Sequence, residues 1–136
     1  MAHDRSVEHV ADWTTRRSGW LAPPWSTDNP EAVSAYRDGI ATLVAGAPYA
    51  SAMLRRATVA DPGFVLAHVA LAVADDREAR PTDPSMLSRP ERQHCEIVRA
   101  AFEGDLERAA ELRRTHLLEF PGDVLIVWLP AVLRRM

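Results

Sequence analysis

His68, His94 and His116 are the residues whose type and placement are best suited to chemistry. Each falls at an inward or boundary position of a different predicted helix, and imidazoles from neighbouring helices can converge inside a bundle. Converging imidazoles can bind a metal ion or transfer a proton near neutral pH. No HExxH motif or paired-carboxylate helix pattern accompanies them, so we expect no metal and no other cofactor. The favoured interpretation is structural, with half-buried imidazoles bonded to backbone or Glu.

A pocket between the third and fourth predicted helices is the alternative. Arg92, His94 and Glu96 are near one another on the fourth predicted helix, and His68 faces them from the third. This set would suit a small-molecule binding protein or an enzyme with His94 as acid/base. We assign no catalytic residues beyond this candidate pocket.

Residues 124–133, VLIVWLPAVL, are apolar nearly all round. One neighbouring helix cannot bury all of these side chains, and the last helix of a solenoid needs a polar outer face. We therefore expect a twin subunit, a partner or a continuation of the chain to cover this segment. The candidate interface residues are Leu125, Trp128, Leu129 and Leu133.

The composition is that of one ordinary globular domain. The 136 residues are 47% hydrophobic and 26% charged, with a net charge of −3. Four Arg pairs are scattered along the chain without aromatic residues between them, so we expect no nucleic-acid partner. The N-terminus lacks the pattern of a signal peptide, and the longest apolar run is about half a membrane span. These features predict a cytoplasmic protein without a membrane partner.

Apolar spacing predicts about six helices that would position these residues. We expect Asp28, Ser88 and Asp123 to cap helices, because each stands just before an apolar stripe. The predicted organisation is an N-terminal helix and Trp-rich arm over 1–26, then a helical domain over 27–136. That domain comprises hairpins 28–61 and 89–120, a linker helix 62–78 and a C-terminal helix 123–135.

The two hairpins are similar in sequence. Pro30-Glu31 matches Pro90-Glu91 at an offset of 60, whereas Ala50 matches Ala109 and Pro62 matches Pro121 at 59. We expect the one-residue change to fall at the turn between the helices, where a deletion is tolerated. Self-similarity at a fixed period predicts a helical-repeat architecture.

The later copy resembles tetratricopeptide repeats. Gly104, Asp105, Ala109 and Pro121 stand where that motif has its turn, its small packing residue and its closing Pro. The later copy departs from the motif at Gln93, Glu96 and His116, and in the earlier copy Ala45 replaces the turn Gly.

Three segments are more specifically similar to the N-terminal part of the tetratricopeptide repeat protein 38 family. They are TDNPEAV at 27–33, ADPGFVLAHVALA at 60–72, and the stretch from 91 to 125. The resemblance implies a right-handed α-solenoid and, for function, little beyond interaction.

Together these patterns predict an all-α, tetratricopeptide-like solenoid that acts as a non-catalytic scaffold for protein–protein interaction. We expect its partner to be another protein or itself, through the C-terminal helix.

Overall fold

The described part of the chain consists of α-helices. The computed structural model describes residues 27–79 and 83–135. Within those ranges it contains six α-helices, a short 3-10 helix at Pro84–Met86 and no β-strand, so the all-α prediction is confirmed. The α-helices are α1 (Pro30–Ala45), α2 (Ala50–Ala60), α3 (Val65–Ala74), α4 (Arg89–Phe102), α5 (Leu106–Glu119) and α6 (Val124–Arg134). The helix and arm predicted over 1–26 lie outside the described residues.

Side-chain caps set where α1 and α4 begin. The Asn29 side-chain oxygen accepts from the backbone N–H groups of Glu31 and Ala32, at 2.9 and 3.2 Å. Asn29, not the predicted Asp28, therefore caps α1. At α4 the predicted Ser88 cap is present, and Glu91 completes a capping box by accepting from the Ser88 N–H. Both helices thus have a fixed first turn.

Gly46 ends α1. Its φ of 75° lies in the left-handed region, where a residue without a Cβ atom is favoured. Its N–H donates to the Leu43 carbonyl, and a Cβ atom here would meet the Arg135 guanidinium from the far end of the chain. Arg135 in turn donates to the carbonyls of Leu43 and Val44, at 3.3 and 2.6 Å. The end of α6 is thereby fastened to the end of α1.

Neighbouring helices pack in chain order, and the first also packs against the last. α1 and α2 form one hairpin, α4 and α5 form another, and α3 lies between them in sequence. α6 contacts both α5 and α1. The contact between α1 and α6 joins the first and last described helices, and the sequence did not predict it.

The helix boundaries reveal two three-helix units. α1 and α4 begin at residues 30 and 89, α2 and α5 end at 60 and 119, and α3 and α6 begin at 65 and 124. Each pair is 59 residues apart. The first unit is therefore α1–α3 and the second is α4–α6. The offset of 60 at Pro30-Glu31 arises because Pro30 is the first residue of α1 whereas Pro90 is the second of α4, so no deletion at the inter-helix turn is needed to align the two caps.

α6 contains a proline whose effect on the helix is offset by an arginine. Pro130 has no N–H to donate to the carbonyl of Ile126, four residues earlier. Arg113 from α5 donates instead, with Nε 2.9 Å from the Ile126 oxygen and Nη2 2.8 Å from the Val127 oxygen. The first bond satisfies the carbonyl that the proline leaves without its helical donor, and both bonds join α5 to α6.

No helix in the ranges 27–79 and 83–135 has the length and apolarity needed to cross a membrane.

Candidate functional site

The centre of the second unit contains a buried polar cluster. We call His94, His116 and Asp123 the triad; their side chains are 0%, 1% and 0% exposed. His94 comes from the middle of α4, His116 from the last turn of α5, and Asp123 from the residue before α6. The triad therefore ties together all three elements of the second unit.

A single carboxylate oxygen joins the two imidazoles. Asp123 Oδ2 lies 2.8 Å from His94 Nδ1 and 2.8 Å from His116 Nε2. An ionised carboxylate only accepts hydrogen bonds, so both ring nitrogens donate to it. The side chain that the sequence assigned to capping α6 forms no cap hydrogen bond, because it is turned towards the imidazoles instead.

The imidazoles keep Asp123 ionised despite its burial. Burial alone raises the pKa of this carboxyl, since a charge is poorly solvated in the interior. The charge of His94 and the hydrogen bonds from both imidazoles outweigh that effect and lower the pKa of Asp123 to about 2. The triad thus contains a buried negative charge at every physiological pH.

Gln93 contacts the second imidazole from its other side. Its side-chain oxygen lies 2.7 Å from His116 Nδ1, so both ring nitrogens of His116 have a polar partner. His116 is thereby held between the Gln93 amide and the Asp123 carboxylate.

Two buried atoms of the triad have no hydrogen-bond partner among the described residues, namely His94 Nε2 and Asp123 Oδ1. His94 donates through Nδ1, so its Nε2 is the nitrogen that remains unbonded. An imidazole oriented by a carboxylate, with its other nitrogen free, has the arrangement of a general base. A general base must reach its substrate, however, and His94 is 0% exposed.

Three titratable side chains near the triad are either protonated or hydrogen-bonded. Burial raises the pKa of Tyr36 well above 10, and the charges of Asp123, Cys95 and Glu91 raise it further. Burial likewise raises the pKa of the Cys95 thiol to about 11, with smaller contributions from Glu91 and Asp123. Tyr36 and Cys95 are therefore protonated near neutral pH, and Cys95 is a poor nucleophile. The Glu91 carboxylate accepts from Ser88 in the capping box.

The four predicted pocket residues do not share a cavity. His94 is in the core, whereas Arg92, Glu96 and His68 are at the surface. Arg92 donates to the Leu87 carbonyl at 2.9 Å, and Glu96 pairs with Arg108 at 3.3 Å. Residues two apart on a helix point in different directions, which separates His94 from both.

His68 lies apart from the triad. Its Nε2 is 2.7 Å from the Pro62 carbonyl, on the exposed side of α3. The expected backbone bond is therefore present at His68, while His94 and His116 bond to a carboxylate.

The predicted interface residues are mostly covered by the chain itself. Leu125 and Leu129 are 1% and 3% exposed and belong to the core, because α6 lies against both α1 and α5. This burial removes them from any surface that a partner could reach. Trp128 and Leu133 are half-buried and pack against the same core. Two neighbouring helices, α1 and α5, therefore cover much of the apolar surface of α6, which one helix could not do alone.

A groove on the first unit is open to solvent. It has a volume of about 470 Å³ and runs along α2 beside the first turn of α1. Its lining combines small or apolar side chains with charged ones: Ala52, Val59, Ala60, Glu31, Arg55 and Arg56. Val59 is 75% exposed. The groove is a concave surface that a partner can reach, and the sequence pattern did not predict it.

No group of three His, Cys, Asp or Glu side chains within the described ranges has the geometry of a metal site. Comparisons of the chain with models of protein families, with curated proteins and with solved structures found no match.

The sequence contains a signal for the triad. The 59-residue offset that relates Ala50 to Ala109 also relates Ala35 to His94, Ala57 to His116 and Phe64 to Asp123. These three substitutions of apolar by polar residues fall at buried positions. A polar residue that replaces an apolar one at three equivalent core positions indicates that the three side chains satisfy one another.

Proposed function

We propose that this protein is a non-catalytic helical-repeat scaffold of the tetratricopeptide type, and that the groove on α2 binds a partner protein. The side chains most capable of catalysis, those of the triad, are sealed in the core. The groove is open, and its lining includes small or apolar side chains, two arginines and one glutamate. The open groove is the observation that carries the proposal.

The charges at the groove define the partner. Arg55 Nη2 lies 3.8 Å from Asp75 Oδ2, which is a loose ion pair. Arg56 makes no ion pair with any other described residue. Guanidinium groups bind carboxylates with two parallel hydrogen bonds. Val59 and Ala52 offer contact to aliphatic side chains. The partner is therefore an acidic segment that also carries apolar residues.

The second unit repeats part of this surface. The residues 59 positions after Arg55 and Val59 are Arg114 and Leu118, and Leu118 is 82% exposed. An exposed arginine followed four residues later by an exposed apolar side chain thus occurs once in each unit. α5 provides a matched control for the groove on α2.

The test uses a short fluorescein-labelled peptide that alternates Glu and Leu, followed by fluorescence anisotropy. Arg56→Glu should weaken binding by about tenfold or more, because it places like charges opposite each other. Arg114→Glu changes the net charge equally on the other unit and should leave affinity within about twofold. A peptide alternating Lys and Leu should not bind. Equal loss in both variants would show nonspecific attraction and refute the groove as the site.

Self-association through α6 stays a prediction, and it now depends on Trp128 and Leu133. Static light scattering at tens of micromolar protein measures the mass directly. Trp128→Glu should convert a dimer to a monomer without changing the helical content seen by circular dichroism. A monomeric wild-type protein would contradict this prediction and leave the groove proposal intact.

A further inference from the structure

The groove on α2 lies beside the point where the described chain begins. Its lining runs along α2 from Ala52 to Ala60, about 12 Å of helix, and includes Glu31 in the first turn of α1. The Asn29 side-chain Nδ2 donates to the Ala60 carbonyl at 3.1 Å, and the Asn29 backbone N–H donates to Thr27 Oγ1 at 3.1 Å. These two bonds hold the start of the described chain at one end of the groove.

The residues that precede Thr27 have the composition of a ligand for this groove. The segment 20–25, WLAPPW, carries two indoles and no charged residue. Consecutive prolines, as in this segment, favour an extended backbone. Seven extended residues span about 25 Å and two span about 7 Å. Trp20 and Trp25 are therefore both within reach of the groove, and Trp25 is the nearer.

The lining of the groove suits indole rings. Val59 is 75% exposed, so an aromatic ring that covers it removes apolar surface from water. Arg55 and Arg56 stand one helical turn before Val59, and guanidinium groups stack on aromatic rings, best on those of Trp. The volume of about 470 Å³ falls in the range of about 300–1,000 Å³ that holds small organic ligands, so large side chains fit.

We propose that residues 20–25 of this chain occupy the groove on α2, with Trp25 against Val59, and that a partner protein must displace them. The displacement rests on the proposed function, whereas the docking of the segment does not. The groove that is open among the described residues is then covered in the free protein.

The short tether and the lack of charge explain how such a segment is both held and released. A segment joined by a short linker is present at an effective concentration of about millimolar, so weak contacts suffice to hold it. Residues 18–27 contain no charged side chain, so the segment supplies no carboxylate to Arg55 and Arg56. An acidic partner does supply carboxylates, and this gives it the advantage over the segment.

The test is ¹⁹F NMR of the full chain labelled with 5-fluorotryptophan, in which each of the four Trp residues gives one signal. Trp25→Phe identifies the Trp25 signal. In wild type this signal should lie away from its position in urea. Val59→Glu should move it towards that position, because a carboxylate replaces the apolar contact. The signal of Trp128, which packs against the core from α6, should not move.

Leu118→Glu is the matched control. Leu118 stands 59 positions after Val59 and is 82% exposed on α5, so the same change is made on the other unit. It should leave the Trp25 signal where it is in wild type. A wild-type Trp25 signal at the urea position, or one that moves equally in both variants, would overturn the proposal. A signal that shifts on tenfold dilution would place the segment of a second copy in the groove and would overturn it as well.

Peptide binding separates this inference from the proposed function. The double variant Trp20→Ser and Trp25→Ser should bind the Glu–Leu peptide at least about threefold more tightly than wild type, because the groove is already vacant. If neither protein binds the peptide while Val59→Glu still moves the Trp25 signal, the segment occupies the groove and the proposed function fails. If wild type binds the peptide while the Trp25 signal ignores Val59→Glu, the proposed function stands and the docking is refuted. Equal peptide affinities with a docked segment would refute the displacement.

Discussion

The two three-helix units have similar helix boundaries and differ in the side chains buried at their centres. Each opens with a capped helix, and the ends of their second helices and the starts of their third helices are 59 residues apart. In the first unit the central positions hold Ala35, Ala57 and Phe64, whereas the second has the triad there. The same frame therefore surrounds an apolar centre once and an ionic centre once.

This contrast shows that the signals for the helix ends are independent of the side chains packed between the helices. Caps at Asn29 and Ser88 and the prolines at 62 and 121 recur in both units, so local signals set the helix ends. The interior tolerates a change of chemistry because the polar side chains of the second unit bond to one another. The largest predicted effects arise where one of these partners is removed.

Asp123→Ala should have the largest effect. It removes the carboxylate and leaves the two buried ring nitrogens that donate to it without an acceptor, at a cost of about 3–5 kcal/mol in the free energy of unfolding. Phe64→Ala, at the matching position, should cost about 3–5 kcal/mol through a cavity. Urea unfolding at pH 7 and at pH 2 distinguishes the two. Only the cost of Asp123→Ala should shrink at pH 2, because the Asp123 carboxyl, with a pKa of about 2, is partly protonated there and contributes less stability.

A control replaces the triad by the residue types found at the matching positions of the first unit. The triple variant His94→Ala, His116→Ala and Asp123→Phe should recover most of the stability lost in Asp123→Ala, since it removes all three polar side chains together. If the triple variant is as unstable as Asp123→Ala, the two units do not match at these positions.

Acidification below about pH 4 should lower the free energy of unfolding through the protonation of Asp123. The pKa of Asp123 is about 2 when folded, against about 3.9 when unfolded. A depressed folded pKa contributes stability that is complete above the unfolded value and is lost as pH falls from about 4 to about 2. The contribution is on the order of 2 kcal/mol. Urea unfolding across this range should show the loss in wild type, and Asp123→Asn should lack it.

Arg113→Leu should cost about 2 kcal/mol, because the carbonyls of Ile126 and Val127 lose their Arg113 donors. The matching residue of the first unit, 59 positions earlier, is Leu54, which is fully buried. The variant thus places the same residue type at both matching positions. Thermal unfolding monitored at the helical circular-dichroism band measures the loss.

Pro130→Ala is the control for Arg113, since the backbone N–H that this substitution introduces can donate to the Ile126 carbonyl. The cost of Arg113→Leu should be at least about 1 kcal/mol smaller in the Pro130→Ala background. Strictly additive effects would show that Arg113 does not compensate for the proline.

Gly39→Ala should have the smallest effect, a net destabilisation of about 1 kcal/mol. A Cβ atom at Gly39 would lie 2.5 Å from Leu54 Cδ2 and 2.6 Å from Leu54 Cγ, and Leu54 is fully buried. The clash outweighs the helix preference of Ala over Gly. Differential scanning calorimetry provides the measurement. An increased melting temperature would show that α1 and α2 can separate without cost.

The sequence predicted the helices well because their signals are local. Apolar spacing and the residues around Pro30, Pro62, Pro90 and Pro121 lie within a few positions of the elements they define. The cap of α1 was predicted one residue early, because Asp28 and Asn29 are both good caps and only the backbone geometry distinguishes them.

The triad could be predicted only in part because its bonds connect distant positions. His94 and His116 were identified as inward-facing, but Asp123 is 29 residues from His94 and looked like a helix cap. Whether a carboxylate caps a helix or binds an imidazole depends on how α5 and α6 meet, and no local pattern reports that. The burial of Leu125 and Leu129 likewise depends on how α6 packs against α1 and α5.

The bond between Arg135 and Val44 has a consequence for the rate of folding. It joins residues 91 positions apart, so its formation closes nearly the whole described chain into one loop. Helical proteins usually fold quickly because most of their contacts are local, and each long-range closure slows them by the entropy of the chain between its ends. The hairpins α1–α2 and α4–α5 should therefore form early, before α6 docks. Arg135→Ala should hasten unfolding more than it slows refolding.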